Sequence, residues 1–162
     1  MEKRNLGKTD IKLTSIGFGG APLGNLFEEL NETDCFNIVK SCFENNINLY
    51  DTSPLYGYGL SEHRIGNFIK NIDPKSYYLS TKVGRYLTPE RNYYKDGKFK
   101  GHINFIPNFD YSYDGVMKSF DQSIHRLAVP KIDICLIHDV DRYTFGNEVD
   151  HYFKIAMNGA YK

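Results

Sequence analysis

The stretch Asn48-Leu-Tyr-Asp51-Thr-Ser-Pro-Leu-Tyr56-Gly-Tyr-Gly-Leu-Ser-Glu62 decides how the rest of the chain is read. Ile47 to Asp51 is a short apolar run that ends on a carboxylate, and Pro54, Gly57 and Gly59 then make a turn that carries Tyr56. Ser61 is placed to cap a helix whose buried face is Ile65, Phe68 and Ile69. Strand, turn and helix in that order form one βα unit. Chemistry in α/β folds sits at the C-terminal ends of parallel strands, which makes Asp51 and Tyr56 candidates for a site.

The pattern repeats on both sides of this unit. Upstream, residues 3–14 alternate around Gly7-Lys8-Thr9-Asp10 and predict a hairpin, and Ser15 to Gly24 is a short apolar strand running into glycines. Asn31-Glu-Thr-Asp34 resembles a capping box, with Cys35, Val39, Cys42 and Phe43 recurring at helical spacing behind it. Downstream, Asp73-Pro74 breaks the second helix and Tyr77 to Val83 is a strand carrying Lys82 at its end. Residues 84–111 have neither helical nor strand period and read as a long loop, with a small hairpin suggested at Asp96-Gly97. Ser112 caps a third helix through Val116, Phe120, Ile124 and Leu127; Lys131 to His138 is a strand ending on histidine; Val149, Phe153 and Met157 begin a fourth helix in the final segment, 147–162.

A hairpin followed by four βα units, with nearly continuous apolar strands, implies a parallel sheet covered on both faces. A doubly wound sheet and a (β/α)8 barrel both satisfy that pattern. With 162 residues, 41% hydrophobic and 25% charged, the chain is expected to form a single domain over 1–162. Lys+Arg and Asp+Glu both number 20, so there is no basic surplus to attract nucleic acid or anionic lipid. There is no signal-peptide pattern and no apolar run of the roughly 18 residues that a membrane span requires, so the expected location is cytoplasmic. Cys35, Cys42 and Cys135 form no CxxC pair, and Cys35 and Cys42 read as small core hydrophobes.

Three successive strands end on Asp51, Lys82 and His138, and Tyr56 comes from the loop above the first of them. Neighbouring strands lie about 4.8 Å apart, so adjacent strands in that order bring the four side chains to one mouth. Taken singly, each has a plain reading as a turn-forming Asp, a surface Lys, a packing Tyr or a satisfied His. Together they suit a tuned proton donor. A free phenol has a pKa of about 10, which a neighbouring ammonium lowers by favouring the phenolate. Asp51 would orient Lys82, and His138 would hold the reacting oxygen beside Tyr56.

Three rival motifs are weaker. Gly17-Phe-Gly19-Gly-Ala-Pro22 begins like a dinucleotide fingerprint, but Pro22 replaces its third glycine. His138-Asp139-Val-Asp141 offers three metal-type donors without a second histidine cluster, and no metal is expected. Lys82 at a strand end could form a Schiff base, as in barrel aldolases.

The segments Arg4-Asn-Leu-Gly-Lys-Thr, Ile16-Gly-Phe-Gly-Gly, Leu49 to Glu62, Leu79-Ser-Thr-Lys-Val-Gly84 and Asp133-Ile-Cys-Leu-Ile-His138 resemble the aldo-keto reductases. The resemblance implies a (β/α)8 TIM barrel with a hairpin across its bottom, NADP or NAD bound over its mouth, and a small carbonyl or sugar as substrate. It implies a catalytic tetrad of Asp51, Tyr56, Lys82 and His138, with Gly20, Ala21 and Asp51 as cofactor contacts. The run Ile137-His-Asp-Val-Asp-Arg142 and the long loop with Ile106 to Ser112 look most like the branch with D-threo-aldose 1-dehydrogenase, L-fucose dehydrogenase and pyridoxal 4-dehydrogenase. That similarity implies oxidation of a sugar at its anomeric carbon to a lactone, with Tyr86, Tyr93, Tyr94, Phe99 and Phe105 stacking on the ring.

A barrel of this type needs about 250 residues, so the expectation is its N-terminal (β/α)4 portion, ending within the fourth helix. The open edges of such a half sheet are expected to invite self-association. The expected function is an oxidoreductase, active when a second half is supplied; the alternative is an inactive fragment or non-catalytic binding remnant.

Overall fold

The computed structural model describes residues 1–92 and 97–162. Strands β1 (Lys3–Asn5) and β2 (Lys12–Thr14) form the expected antiparallel hairpin. Strands β3 (Phe18–Gly19), β4 (Leu49–Asp51), β5 (Tyr78–Val83) and β8 (Ile134–Ile137) form one sheet, all parallel and in the order β3-β4-β5-β8. A sheet that adds each new strand on the same side has no point where the order reverses. The arrangement is that of half a barrel rather than a doubly wound sheet.

The hairpin lies at the N-terminal end of this sheet because Asn48, just before β4, holds it there. Its Oδ1 accepts from Thr14 N at 2.8 Å and its Nδ2 donates to Lys12 O at 2.8 Å. Helices α1 (Glu32–Glu44), α2 (Leu60–Ile69) and α3 (Tyr113–Leu127) cover the outer face, where Cys35, Val39, Ile65, Leu127, Tyr50 and Leu79 meet in the main core. Asn31 caps α1 by accepting from Asp34 N, and Ser112 caps α3 by accepting from Gly115 N, as their sequence positions predict.

Side chains alternate along strands, and paired residues in a parallel ladder share a face. Tyr50, Leu79 and Thr81 turn to the helices. Asp51 pairs with Ser80, and Lys82 pairs with Leu136, so Asp51, Ser80, Lys82 and Leu136 share the inner face.

Four features differ from the sequence expectation. The first strand of the sheet is only Phe18–Gly19, and Ala21–Gly24 is a 3-10 turn. Helix α2 is capped by Gly59, while Ser61 lies inside it with its hydroxyl turned to Gly20 O at 2.7 Å. The long loop contains an antiparallel ribbon of β6 (Arg85–Pro89) and β7 (Phe105–Phe109); Asp96, of the expected turn, is outside the described residues. Pro107 masks β7 in the sequence, since proline cannot donate to a ladder. Opposite it, the Leu87 backbone is served instead by Gln122 of α3, with N–H and C=O both bonded at 2.9 Å.

The fourth difference is at the C-terminus. After a short helix α4 (Arg142–Phe145), helix α5 (Val149–Asn158) ends at Gly159, whose N–H still reaches Ile155 O, and does not run on to Lys162. A Cβ on Gly159 would lie 2.5 Å from Tyr111 O, so the chain turns away there in close contact with the residues ahead of α3. Among the described residues no helix is long and apolar enough to cross a membrane.

Candidate active site

The inner face of β4 and β5 carries an ion pair at its C-terminal end. Lys82 Nζ donates to Asp51 Oδ2 at 2.6 Å and to Thr52 O at 2.9 Å, while Ser80 Oγ donates to Asp51 Oδ1 at 2.7 Å. The Lys82 side chain is 12% exposed and that of Asp51 31%, so the pair stands at the rim of the packed region and remains in reach of solvent. Each partner is held by a second bond besides the pair itself, Lys82 by Thr52 O and Asp51 by Ser80 Oγ.

Tyr56 is brought over the pair by the turn that follows β4. Tyr56 N donates to Ser53 O at 3.1 Å, and the backbones of Gly24 and Gly57 touch so closely that a Cβ on Gly24 would lie 2.4 Å from Tyr56 C. Lys82 Nζ lies 5.2 Å from the centre of the Tyr56 ring. Phe99 and Tyr58 pack beneath that turn with Leu87, forming a second small core that sets the ring's height.

His138 follows the last residue of β8. Its N–H donates to Val83 O at 3.1 Å, and its carbonyl accepts from Tyr111 Oη at 2.5 Å. Burial pushes the Tyr111 phenol up, so it stays a donor. The His138 ring stands edge-on to Tyr56, with centroids 6.2 Å apart and planes at 88°. Burial, with the Arg85 and Lys82 cations adding to it and Asp51 opposing, drives the His138 imidazole down to about 3, which keeps it neutral.

Asp51, Tyr56, Lys82 and His138 therefore meet at one mouth. Ser80 was detectable in the sequence, since it lies two residues before Lys82 on the same strand face. Ser53, Arg85, Tyr111 and Asp139 were not singled out for these tasks. Ser53 Oγ lies 3.1 Å from His138 Nδ1, and Arg85 Nη2 donates to Asp139 Oδ2 at 3.0 Å. Asp141, weighed with His138 and Asp139 as a metal donor, caps α4 by accepting from Thr144 N. The aromatic residues of the loop are differently employed. Phe99 is buried, Phe105 packs against its cluster, and Tyr86 lies under Lys118 Nζ at 3.6 Å; Tyr93 and Tyr94 are outside the described residues.

Gly19, paired with Asp51, has open space where a Cβ would stand. Gly20 is different: its N–H donates to Asp51 O at 2.7 Å, its carbonyl accepts from Ser61, and a Cβ would lie 2.7 Å from Ser61 Oγ. Gly20 therefore serves close packing of β3 on α2, and Ala21 opens the 3-10 turn beside it.

This half-barrel sheet gathers a lysine, a carboxylate, a tyrosine and a neutral histidine around one strand-end mouth, the end at which barrels of this kind carry their chemistry. The Aldo/keto reductase family model matches residues 15–157, and the chain belongs to that family. It is 37% identical to a pyridoxal 4-dehydrogenase of Microbacterium luteolum, covering 98% of this chain and 49% of that protein. It is 38% identical to an L-galactose dehydrogenase of Arabidopsis thaliana, covering 87% of this chain and 39% of that protein. Among solved structures, the holo form of aldo-keto reductase AKR11C1 from Bacillus halodurans matches with a TM-score of 0.67 at 28% identity, over 95% of this chain and 45% of that one. The chain thus spans about half the length of the relatives it matches.

Proposed function

We propose that this chain carries the proton-handling residues of an NAD(P)-dependent oxidoreductase that oxidises an aldose at its anomeric carbon to a lactone. The observation that carries this reading is the Lys82–Asp51 pair at 2.6 Å, with Lys82 Nζ 5.2 Å from the Tyr56 ring and a neutral His138 edge-on to it. The sugar assignment draws support from the L-galactose dehydrogenase among its relatives.

Tyr56 is the general base toward the substrate hydroxyl in oxidation and the general acid toward the carbonyl in reduction. Lys82 places its charge 5.2 Å from the centre of the Tyr56 ring, and Asp51 keeps the ammonium there. His138, neutral, donates a hydrogen bond to the reacting oxygen and holds it beside Tyr56. A nicotinamide cofactor, NADP or NAD, supplies the hydride acceptor or donor when bound. The open space at Gly19 and the unused lone pairs of Asp51 suit its ribose and ring, with Gly20 and Ala21 following Gly19 along the chain as further candidate contacts.

A Schiff-base mechanism through Lys82 is less well supported, because Nζ is committed to two acceptors, Asp51 Oδ2 and Thr52 O, and has no lone pair to direct at a carbonyl. The test is titration of the purified protein with NADP and NAD, joined to dehydrogenase assays on L-fucose and D-threo-aldoses. Nucleotide binding is expected, and sugar-dependent reduction of the nicotinamide when the second half of the barrel is supplied. A folded protein that binds neither nucleotide overturns the reading.

A further inference from the structure

We propose that Asp139, held by Arg85, is a positioning residue that fixes His138 in one tautomer, with the proton on Nε2 and the lone pair on Nδ1. The inference deepens the proposed role of His138 as donor to the substrate oxygen and rests on that reading for its purpose, though its test does not.

The two ring nitrogens face chemically different partners. Ser53 is fully buried, and its Oγ accepts from Leu55 N at 3.1 Å, so the hydroxyl proton is free to point at His138 Nδ1, 3.1 Å away. That side of the ring is offered a donor. Asp139 Oδ2 lies 3.3 Å from Nε2. A carboxylate has only lone pairs to present, and a bare Nε2 lone pair facing it would be repelled, so the proton belongs on Nε2. The Ser53 hydroxyl can serve Nδ1 in either tautomer, and Asp139 is the partner that selects Nε2–H.

The carboxylate is itself fixed from behind. Arg85 Nη2 donates to Asp139 Oδ2 at 3.0 Å, and the guanidinium lies 4.8 Å from the centre of the Phe109 ring, with its side chain 6% exposed. Asp139 sits in the left-handed region at φ 46°, which Asp and Asn enter more readily than most residues. The 3.3 Å separation is long for a charge-assisted bond, so the Nε2 proton is oriented without being saturated and stays available to a substrate oxygen. Ser53 comes from the turn after β4, Arg85 from β6 and Asp139 from the end of β8, so the ring's surroundings are drawn from three separate elements.

The test is the imidazole spectrum of the isotopically labelled full chain near neutral pH, in which long-range proton–nitrogen correlations report which ring nitrogen is protonated. The chain has five histidines, and the four others serve as internal reporters that the fold is intact. His138 is expected as the single Nε2–H tautomer. Asp139→Gly, which keeps the left-handed backbone while removing the carboxylate, is expected to raise the Nδ1–H form from undetected to a share comparable with Nε2–H. Asp139→Asn, which can still accept through its amide oxygen, is expected to restore the Nε2–H form. An Nδ1–H tautomer in the wild type, or an unchanged tautomer in Asp139→Gly with the other histidines unmoved, overturns the proposal. The spectrum needs no turnover, so a failure of the oxidoreductase reading would show separately, in the nucleotide titration.

Discussion

Separating Lys82 from Asp51 tests the ion pair under Tyr56, and the expected effect can be worked from its geometry. At 2.6 Å and an effective dielectric constant of about 20, the Coulomb attraction is about 6 kcal/mol. Desolvation of the mostly buried ammonium offsets much of this, and the 31% exposure of the Asp51 side chain screens more of it, leaving a net coupling of about 2 kcal/mol. The measurement is a double-mutant cycle of Asp51→Asn, Lys82→Met and their combination, read by urea unfolding. Asp51→Asn leaves the largely buried Lys82 ammonium without its countercharge and is expected to lose about 2–3 kcal/mol. With a urea slope of about 2 kcal/mol per molar, that loss lowers the midpoint by roughly 1 M. Lys82→Met removes the charge that Asp51 answers, so adding Asp51→Asn to it should cost much less. A coupling below about 0.5 kcal/mol would refute the claim that the two side chains hold each other in place.

Three further substitutions address the supports of the site. His138 is neutral when folded, its value depressed from 6.5 to about 3, so its contribution to stability is fully present above about 6.5 and is lost as pH falls toward about 3, roughly 4–5 kcal/mol over the whole window; His138→Gln should flatten the fall of unfolding free energy between about pH 6.5 and about pH 4 by about 1.4 kcal/mol per pH unit, and an unchanged slope would contradict this. Glu62 is wholly buried and accepts from Arg126 Nε at 2.6 Å and Thr81 Oγ1 at 2.9 Å, so Glu62→Ala, which strands the guanidinium, should cost about 3–5 kcal/mol in thermal or urea unfolding. Gly84 has φ 96° and a Cβ there would lie 2.4 Å from the Tyr111 ring, so Gly84→Ala should cost at least about 2 kcal/mol and, by displacing Tyr111 from the His138 carbonyl, alter the His138 imidazole resonances; wild-type values for both would refute the coupling.

Much of this fold could be read from local signals. Asn31 and Ser112 announce helices because a capping side chain acts within three residues of itself, and the βα alternation announces a parallel sheet. Asp51, Lys82 and His138 could be placed together because each follows an apolar run, and consecutive strands lie side by side. What escaped the sequence depends on partners distant along the chain. Ser61 looks like a cap, yet its hydroxyl answers Gly20, 41 residues away. The β6–β7 ribbon is hidden by Pro107, whose missing donor is harmless only because Gln122 serves Leu87 instead. Arg85 and Asp139 are 54 residues apart and carry no shared motif; only the folded mouth shows that they meet beside His138. In the glycine run, Gly20 has both backbone polar groups bonded within the protein while the neighbouring Gly19 faces open space, a difference that only the packing of Ser61 and Ile65 reveals.

The central claim is that Tyr56 exchanges the proton in a nicotinamide-dependent oxidation. Its most direct test compares wild type and Tyr56→Phe, each in a completed barrel, in aldose-dependent reduction of NADP or NAD, with nucleotide affinity titrated on the same preparations. The account predicts that turnover falls by about 10²–10⁴-fold while nucleotide affinity is unchanged. A Tyr56→Phe protein that turns over at the wild-type rate would contradict it.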